Sequence, residues 1–244
     1  MAVSWEDQGI ILAVRPFGEH DAIVTLLTEA QGRHAGIVKG GSGKRGRGVL
    51  QSGNLVRAWW RARLDEHLGT LTVEGLRSYA AEAMSSAEVL AGLMALCAMA
   101  EATLPEREPH AEVFRQTLHL LEHLGIPGWE AHYVMWELAL LRDMGYGLDL
   151  STCAATGAAD DLAFVSPKSG RAVSRVAAAP YIPRLLALPT FLRDENAKAA
   201  TSDIGRTEIA QGLALAGHFF EAHVFGPHRQ QIPASRTRFA ARFS

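Results

Sequence analysis

The sequence predicts an α+β protein: an N-terminal five-stranded OB-type β-barrel, followed by an all-helical domain that carries a small irregular insertion. Three observations predict it. Short β-branched segments bounded by turn residues recur five times before about Gly75. After Ser78 the pattern changes to long runs rich in Ala, Leu, Met and Glu. Residues 148–183 follow neither period and are rich in Ala, Ser, Gly and Asp. The expected division is 1–78 for the barrel and 79–244 for the helical domain.

The first strand is expected over Gly9–Arg15, ended by Pro16, and the second over Asp21–Thr28. Gln31-Gly32 turns the chain into a third, Arg33–Lys39. A glycine-rich loop follows, then strands over Asn54–Arg61 and Leu68–Glu74. Ala80–Leu104 reads as one buried helix stopped at Pro105. Ala111–Leu124 reads as an amphipathic helix whose core face is Val113, Phe114, Thr117, Leu118, Leu121 and Leu124. Trp129–Met144 is a third helix, closed by Gly145. Ser202–Val224 is a fourth, with Ser202 or Asp203 as N-cap and Gly226-Pro227 as stop. The stretch from Gly147 to Pro183 reads as an elaborated loop or small hairpin subdomain.

Nearly half of the 244 residues are apolar, enough for a sizeable core. Two cysteines, Cys97 and Cys153, make no disulfide framework and suit a reducing compartment. The acidic N-terminus is unlike a signal peptide, and no apolar run is long enough to span a bilayer. These features predict a soluble cytoplasmic protein.

Charge is unevenly placed. Arg33, Lys39, Lys44, Arg45, Arg47, Arg57, Arg61 and Arg63 fall in a stretch with no acid, leaving 16 of the 24 basic residues to face all 26 acidic ones. Such asymmetry predicts a polyanionic partner. On a strand, Arg57, Trp59 and Arg61 share one face and Trp60 takes the other, into the core. Cations that follow a phosphate backbone and an indole that stacks bases are what a single-strand-binding surface needs. Pro227–Ser244 is a second acid-free stretch, with Arg229, Arg236, Arg238 and Arg242. It offers a second nucleic-acid contact, a strip for an acidic peptide, or a solvated terminal helix.

Three patterns invite other chemistry. Gly41-Ser42-Gly43-Lys44-Arg45-Gly46, with Asp65 beyond, fits the dinucleotide-binding spacing, but Arg47-Gly48 and Gln51-Ser52-Gly53 are expected to break the helix that it requires. The ATP-binding loop fails because Val38 and Arg45 stand at required positions. His119-Leu120-Leu121-Glu122-His123 fits a zinc-protease spacing, but both histidines are expected on the solvent side of their helix. No nucleophile–base arrangement is evident, so no enzyme and no metal or other cofactor is expected.

The ordered set Gly9-Ile10-Ile11-Leu12, Gly18-Glu19-His20-Asp21-Ala22-Ile23-Val24, Thr28, Gly32, Val38-Lys39-Gly40-Gly41 and Leu50-Gln51-Ser52-Gly53 resembles the N-terminal domain of the RecO family of bacterial recombination and repair mediators. Glu137–Leu141, Gly145–Asp149, Cys153, Phe164–Pro167, Gly170-Arg171 and Ser235-Arg236 extend the resemblance through the second half. It implies an OB barrel followed by a helical domain. It also implies binding and annealing of single- and double-stranded DNA, an encounter with the acidic, apolar tail of single-strand-binding protein, and, with RecR, loading of RecA. Many relatives hold a zinc in four cysteines. Here only Cys153 remains of that set, with Thr156, Ser174 and Ala177 near the other positions, so the insertion is a degenerate zinc-finger-like one expected to hold by packing and hydrogen bonds. Arg142 is the candidate for the partner-tail pocket. The alternatives are an RNA-binding OB-fold protein, a metal enzyme using His119 and His123, and an adaptor for acidic protein tails.

Overall fold

The computed structural model describes residues 3–193 and 204–244, and for Lys44, Arg45 and Arg47 the backbone alone. The chain forms two compact units, Met1–Leu124 and Gly125–Ser244. Among the described residues no helix is long and apolar enough to cross a membrane.

The first unit is built on five strands: β1 (Val3–Phe17), β2 (Asp21–Thr28), β3 (Gly32–Val38), β4 (Leu55–Ala62) and β5 (Thr70–Arg77). They close into a barrel in the order β1-β2-β3-β5-β4. The β3–β5 seam is parallel and the other pairings are antiparallel. Strand β1 is twice as long as its apolar segment suggests. Its first half pairs with β4 and its second with β2, with a bulge between Ile11 and Ala13. Pro16 does not end it, because a proline near a strand's end removes a donor the ladder barely uses.

Ile11, Ala22, Val24, Leu26, Val56, Ala58, Trp60 and Leu71 fill the barrel. Trp60 plugs it, its indole N–H donating to the Leu68 carbonyl at 2.9 Å. Gly69 turns the chain beneath this ring at φ +67°, where a Cβ would come within 2.6 Å of the indole. Gly36 lets β3 reach β5, since a Cβ there would stand 2.9 Å from that of Leu71.

The glycine-rich connection is not all loop. Lys44–Val49 forms a short helix, α1. This corrects the expectation that Arg47 and Gly48 break any helix. Its glycines serve close packing, because a Cβ on Gly46 would fall 2.5 Å from the Gly41 carbonyl oxygen.

The helix expected over Ala80–Leu104 is two, α2 (Tyr79–Ala83) and α3 (Ala87–Thr103). Ser86 caps α3 by accepting from the Val89 N–H, which stops the two from merging. Helix α4 (Ala111–His123) buries Val113, Phe114, Thr117, Leu120 and Leu121. Leu120 replaces Leu118 on the predicted face.

In the second unit, α5 (Trp129–Asp143) and α7 (Arg206–Phe219) pack together and supply nearly half of the buried apolar side chains among the described residues. Helix α7 starts after Gly205; Ser202 and Asp203, expected as caps, lie outside the described residues. A π-helical turn, Phe220–Phe225, continues it. The insertion contains a three-stranded sheet, β6 (Leu162–Val165), β7 (Ala172–Ser174) and β8 (Leu186–Ala187), in the order β7-β6-β8, with a short helix α6 (Arg175–Ala178). The hairpin expectation is met by β6 and β7. Helix α8 (Ala234–Ala240) sets Phe239 against Trp129 and Tyr133.

Candidate nucleic-acid interface

Much of the barrel's outer wall is covered. Ile10, Leu12, Thr25 and Leu27 point away from the barrel core yet are buried, because α3 and α4 lie over them. The first half of β1, with β4 and β5, stays open. Its register sets three outward rows: Gln8–Arg57–Glu74, Glu6–Trp59–Thr72 and Ser4–Arg61–Thr70. Arg57 and Arg61 are exposed, Trp59 is half-buried and Trp60 is inward, as the alternation predicts. A concavity of about 550 Å³ lies on this face, lined by Ser4, Glu6, Trp59, Arg61, Thr70 and Thr72 together with Trp5 and Trp60. Arg57 Nε stands 3.8 Å from Glu6 Oε1, both side chains about half exposed.

The other predicted cations are placed unevenly. Arg63 is exposed in the β4–β5 connection, and neither it nor Arg61 has an ion-pair partner among the described residues. Arg33 is spent on structure. Its Nε donates to the Leu104 carbonyl at 2.7 Å, and its guanidinium meets Glu106 at 3.3 Å. With only 19 % of its side chain exposed, it does not join the open face, which corrects its assignment there. Lys39 donates to Asp21 at 2.7 Å, and the Gly40 N–H donates to the other carboxylate oxygen. The Lys39 contact, then the Gly40 N–H, hold the Asp21 carboxyl below its usual range. Both contacts tie the glycine-rich connection to the β1–β2 turn. That end of the barrel is opposite the one that bears Arg63, since successive connections alternate between ends. The side chains of Lys44, Arg45 and Arg47 lie outside the described residues.

Arg107 carries no signal in the sequence. It sits at φ +61° between α3 and α4. Its backbone N–H donates to the Arg33 carbonyl, and its guanidinium to the Asp65 and His67 carbonyls. The guanidinium also lies over the Trp60 ring, fixing the β4–β5 connection on which Arg63 stands. Beneath, His34 is wedged edge-on between Trp5 and Trp60. Burial first, then the Arg107 charge, push its pKa down to about 4.

In the second unit the terminal basic residues part company. Arg229, Arg238 and Arg242 are exposed. Arg236 is not, which corrects its place in a basic contact strip. It is 6 % exposed and makes a two-pronged ion pair with the fully buried Glu137 at 3.0 and 2.8 Å. Arg142 is exposed and does not line the hollow of about 300 Å³ whose walls include Trp129, Glu130, Ile204, Arg206, Ile209 and Phe243.

Of the residues implied for a zinc site, Cys153, Thr156 and Ser174 come together. The Ser174 N–H donates to Cys153 Sγ at 3.3 Å, and the Ser174 hydroxyl lies 3.5 Å from the sulfur. Ser174 first, then Thr156, lower the Cys153 pKa to about 6. One thiol, two hydroxyls and the Ala177 methyl do not fit the nitrogen and sulfur donors of a tetrahedral zinc. Hydrogen bonds occupy the place that metal bonds would take. On α4, His123 Nδ1 lies 2.8 Å from the His119 carbonyl oxygen, so that nitrogen is engaged with its own helix.

These features define an α+β protein with a barrel module whose open face bears cations and an indole, joined in sequence to a helical module. The family model for the recombination protein O N terminal matches residues 1–79, and that for its C terminal matches residues 84–232. The chain is 49 % identical over 246 residues to the DNA repair protein RecO of Rhodospirillum rubrum, covering 98 % of this chain and 96 % of the relative. It is 48 % identical over 243 residues to that of Rhodospirillum centenum (99 % and 95 %) and 44 % over 242 to that of Methylocella silvestris (99 % and 96 %). The chain belongs to the recombination protein O family.

Proposed function

We propose that this chain is a DNA-binding, strand-annealing mediator that acts without covalent chemistry. Family membership gives it a role in recombinational DNA repair. The strand order, with its single parallel seam, supports reading the barrel as OB-type. The observation that carries the proposal is the open β1–β4–β5 face, where Arg57, Arg61 and Trp59 project together and Arg63 stands nearby. Two DNA strands repel through their phosphates. Cations that neutralise both let base pairing begin.

The finer partners follow from the same reading. The chain works with RecR to load RecA in the cytoplasm, near the nucleoid. The acidic, apolar tail of single-strand-binding protein is a further partner in this reading, to be met by an apolar hollow that carries a cation. Arg142, exposed on α5, remains the candidate arginine for that tail.

Annealing of complementary oligonucleotides tests this. Arg61→Glu with Arg63→Glu is expected to slow annealing about tenfold or more at low salt. Normal annealing by that variant would refute the assignment of the face. Tighter binding of RNA than of DNA oligomers would move the reading to an RNA-binding barrel.

A further inference from the structure

The concavity on the open face has an odd composition for a surface that merely collects phosphates. Its lining includes Glu6 and the half-buried Trp59, which face each other across β1 and β4, together with Arg61. A carboxylate repels a phosphate. It is well suited to accept from a base that presents two neighbouring N–H groups. Glu6 is 56 % exposed, and its contact with Arg57, at 3.8 Å, is too long to be a hydrogen bond and leaves both oxygens able to accept. Arg61, the next outward residue of β4 after Trp59, is unpaired among the described residues. The Ser4, Thr70 and Thr72 hydroxyls stand in the neighbouring strands. At about 550 Å³ the space lies within the range of small-ligand sites.

We infer that this concavity takes one unpaired base of a bound single strand and favours guanine. The inference rests on the proposed DNA-binding function and adds a base pocket to it. The Trp59 indole is the stacking surface, which any base satisfies. Guanine's N1–H and N2–H together match the two oxygens of Glu6. Cytosine and adenine bring a single amino group, and thymine brings one imide N–H. Arg61 meets the adjoining phosphate, and the threonine hydroxyls meet sugar or phosphate oxygens. This face is separate from the strand 2–3 surface on which OB barrels ordinarily take ligands, and here α4 packs on β2, whose outward Thr25 and Leu27 are buried.

The test is fluorescence anisotropy at low salt with a labelled oligothymidylate whose central position is guanine, adenine, cytosine, thymine or abasic. The guanine oligomer is expected to bind about tenfold tighter than the abasic one, with the others between. Glu6→Gln, an exposed and near-isosteric change, is expected to bring the ratio of guanine to thymine affinity close to one, while loss of the negative charge strengthens binding of all five oligomers alike. Trp59→Ala is expected to bring every base down to the abasic level, and Trp59→Phe to restore most of the difference, which separates a lost ring from a damaged fold. Equal affinity for all five oligomers, or an undiminished guanine preference in Glu6→Gln, overturns the pocket while leaving DNA binding in place. If the wild-type chain binds none of them, the proposed function itself fails, and the pocket with it.

Discussion

Arg236 shows how far one side chain's role can depart from its neighbours'. It lies among solvated arginines near the end of the chain, yet its guanidinium is buried on Glu137 and donates also to the Leu213 carbonyl at 2.5 Å. Burial works against its charge, and the Glu137 carboxylate more than offsets that, so the guanidinium is held above its ordinary pKa. Removing one partner would strand the other as an unpaired buried charge. Arg236→Ala is therefore expected to cost about 3–5 kcal/mol in urea unfolding, with Glu137 left uncompensated. Arg238→Ala should change stability by less than about 0.5 kcal/mol, since that side chain is solvated. Similar losses in the two variants would mean the ion pair is not holding α8 in place. Sequence reading grouped the two arginines because a run of charges carries no record of which carboxylate lies opposite. Glu137 is 99 residues away in the chain.

At the scale of elements, alternation along a strand is the most legible signal. It separated Trp60 from Trp59 and placed Arg57 and Arg61 outward, because one face of β4 is buried in the barrel and the other is not. The break between α2 and α3 was less visible, since Met84, Ser85 and Ser86 suit a helix as well as a cap until the Ser86 hydroxyl accepts from the Val89 N–H. His34 on β3 lends its element a pH dependence. It is neutral in the fold, with a pKa down to about 4, and returns to an ordinary value near 6.5 when unfolded. Between those values the unfolded chain binds more protons, so stability should fall as pH drops through about 6.5 towards 4 and stay level above. The slope attributable to one such group is at most about 1.4 kcal/mol per pH unit. Unfolding of wild type and His34→Gln across this window should show the steeper slope in wild type. Parallel curves would mean His34 is protonated without cost between Trp5 and Trp60.

For the whole molecule, the formal net charge of −2 says little about how it meets a polyanion. The acid-free run is real in sequence, but carboxylates from outside it reach back in. Asp21 takes Lys39, Glu106 takes Arg33, and Glu6 approaches Arg57. Each acid lies before or after the run, so spacing along the chain could not reveal the pairing, whereas the strand register does. The consequence is a smaller electrostatic footprint than eight cations suggest. If Arg57, Arg61 and Arg63 meet single-stranded phosphates, log affinity should fall with log salt at a slope near −2, each contact contributing about −0.7. The Arg57→Gln, Arg61→Gln, Arg63→Gln variant should then lose most of that slope. Arg238→Gln with Arg242→Gln, in the second unit, should leave it unchanged if the barrel alone grips DNA. A wild-type slope steeper than about −4 would add the α1 connection to the contact surface. A slope that collapses only in the Arg238 and Arg242 variant would move the principal DNA contact from the barrel to the C-terminal arginines.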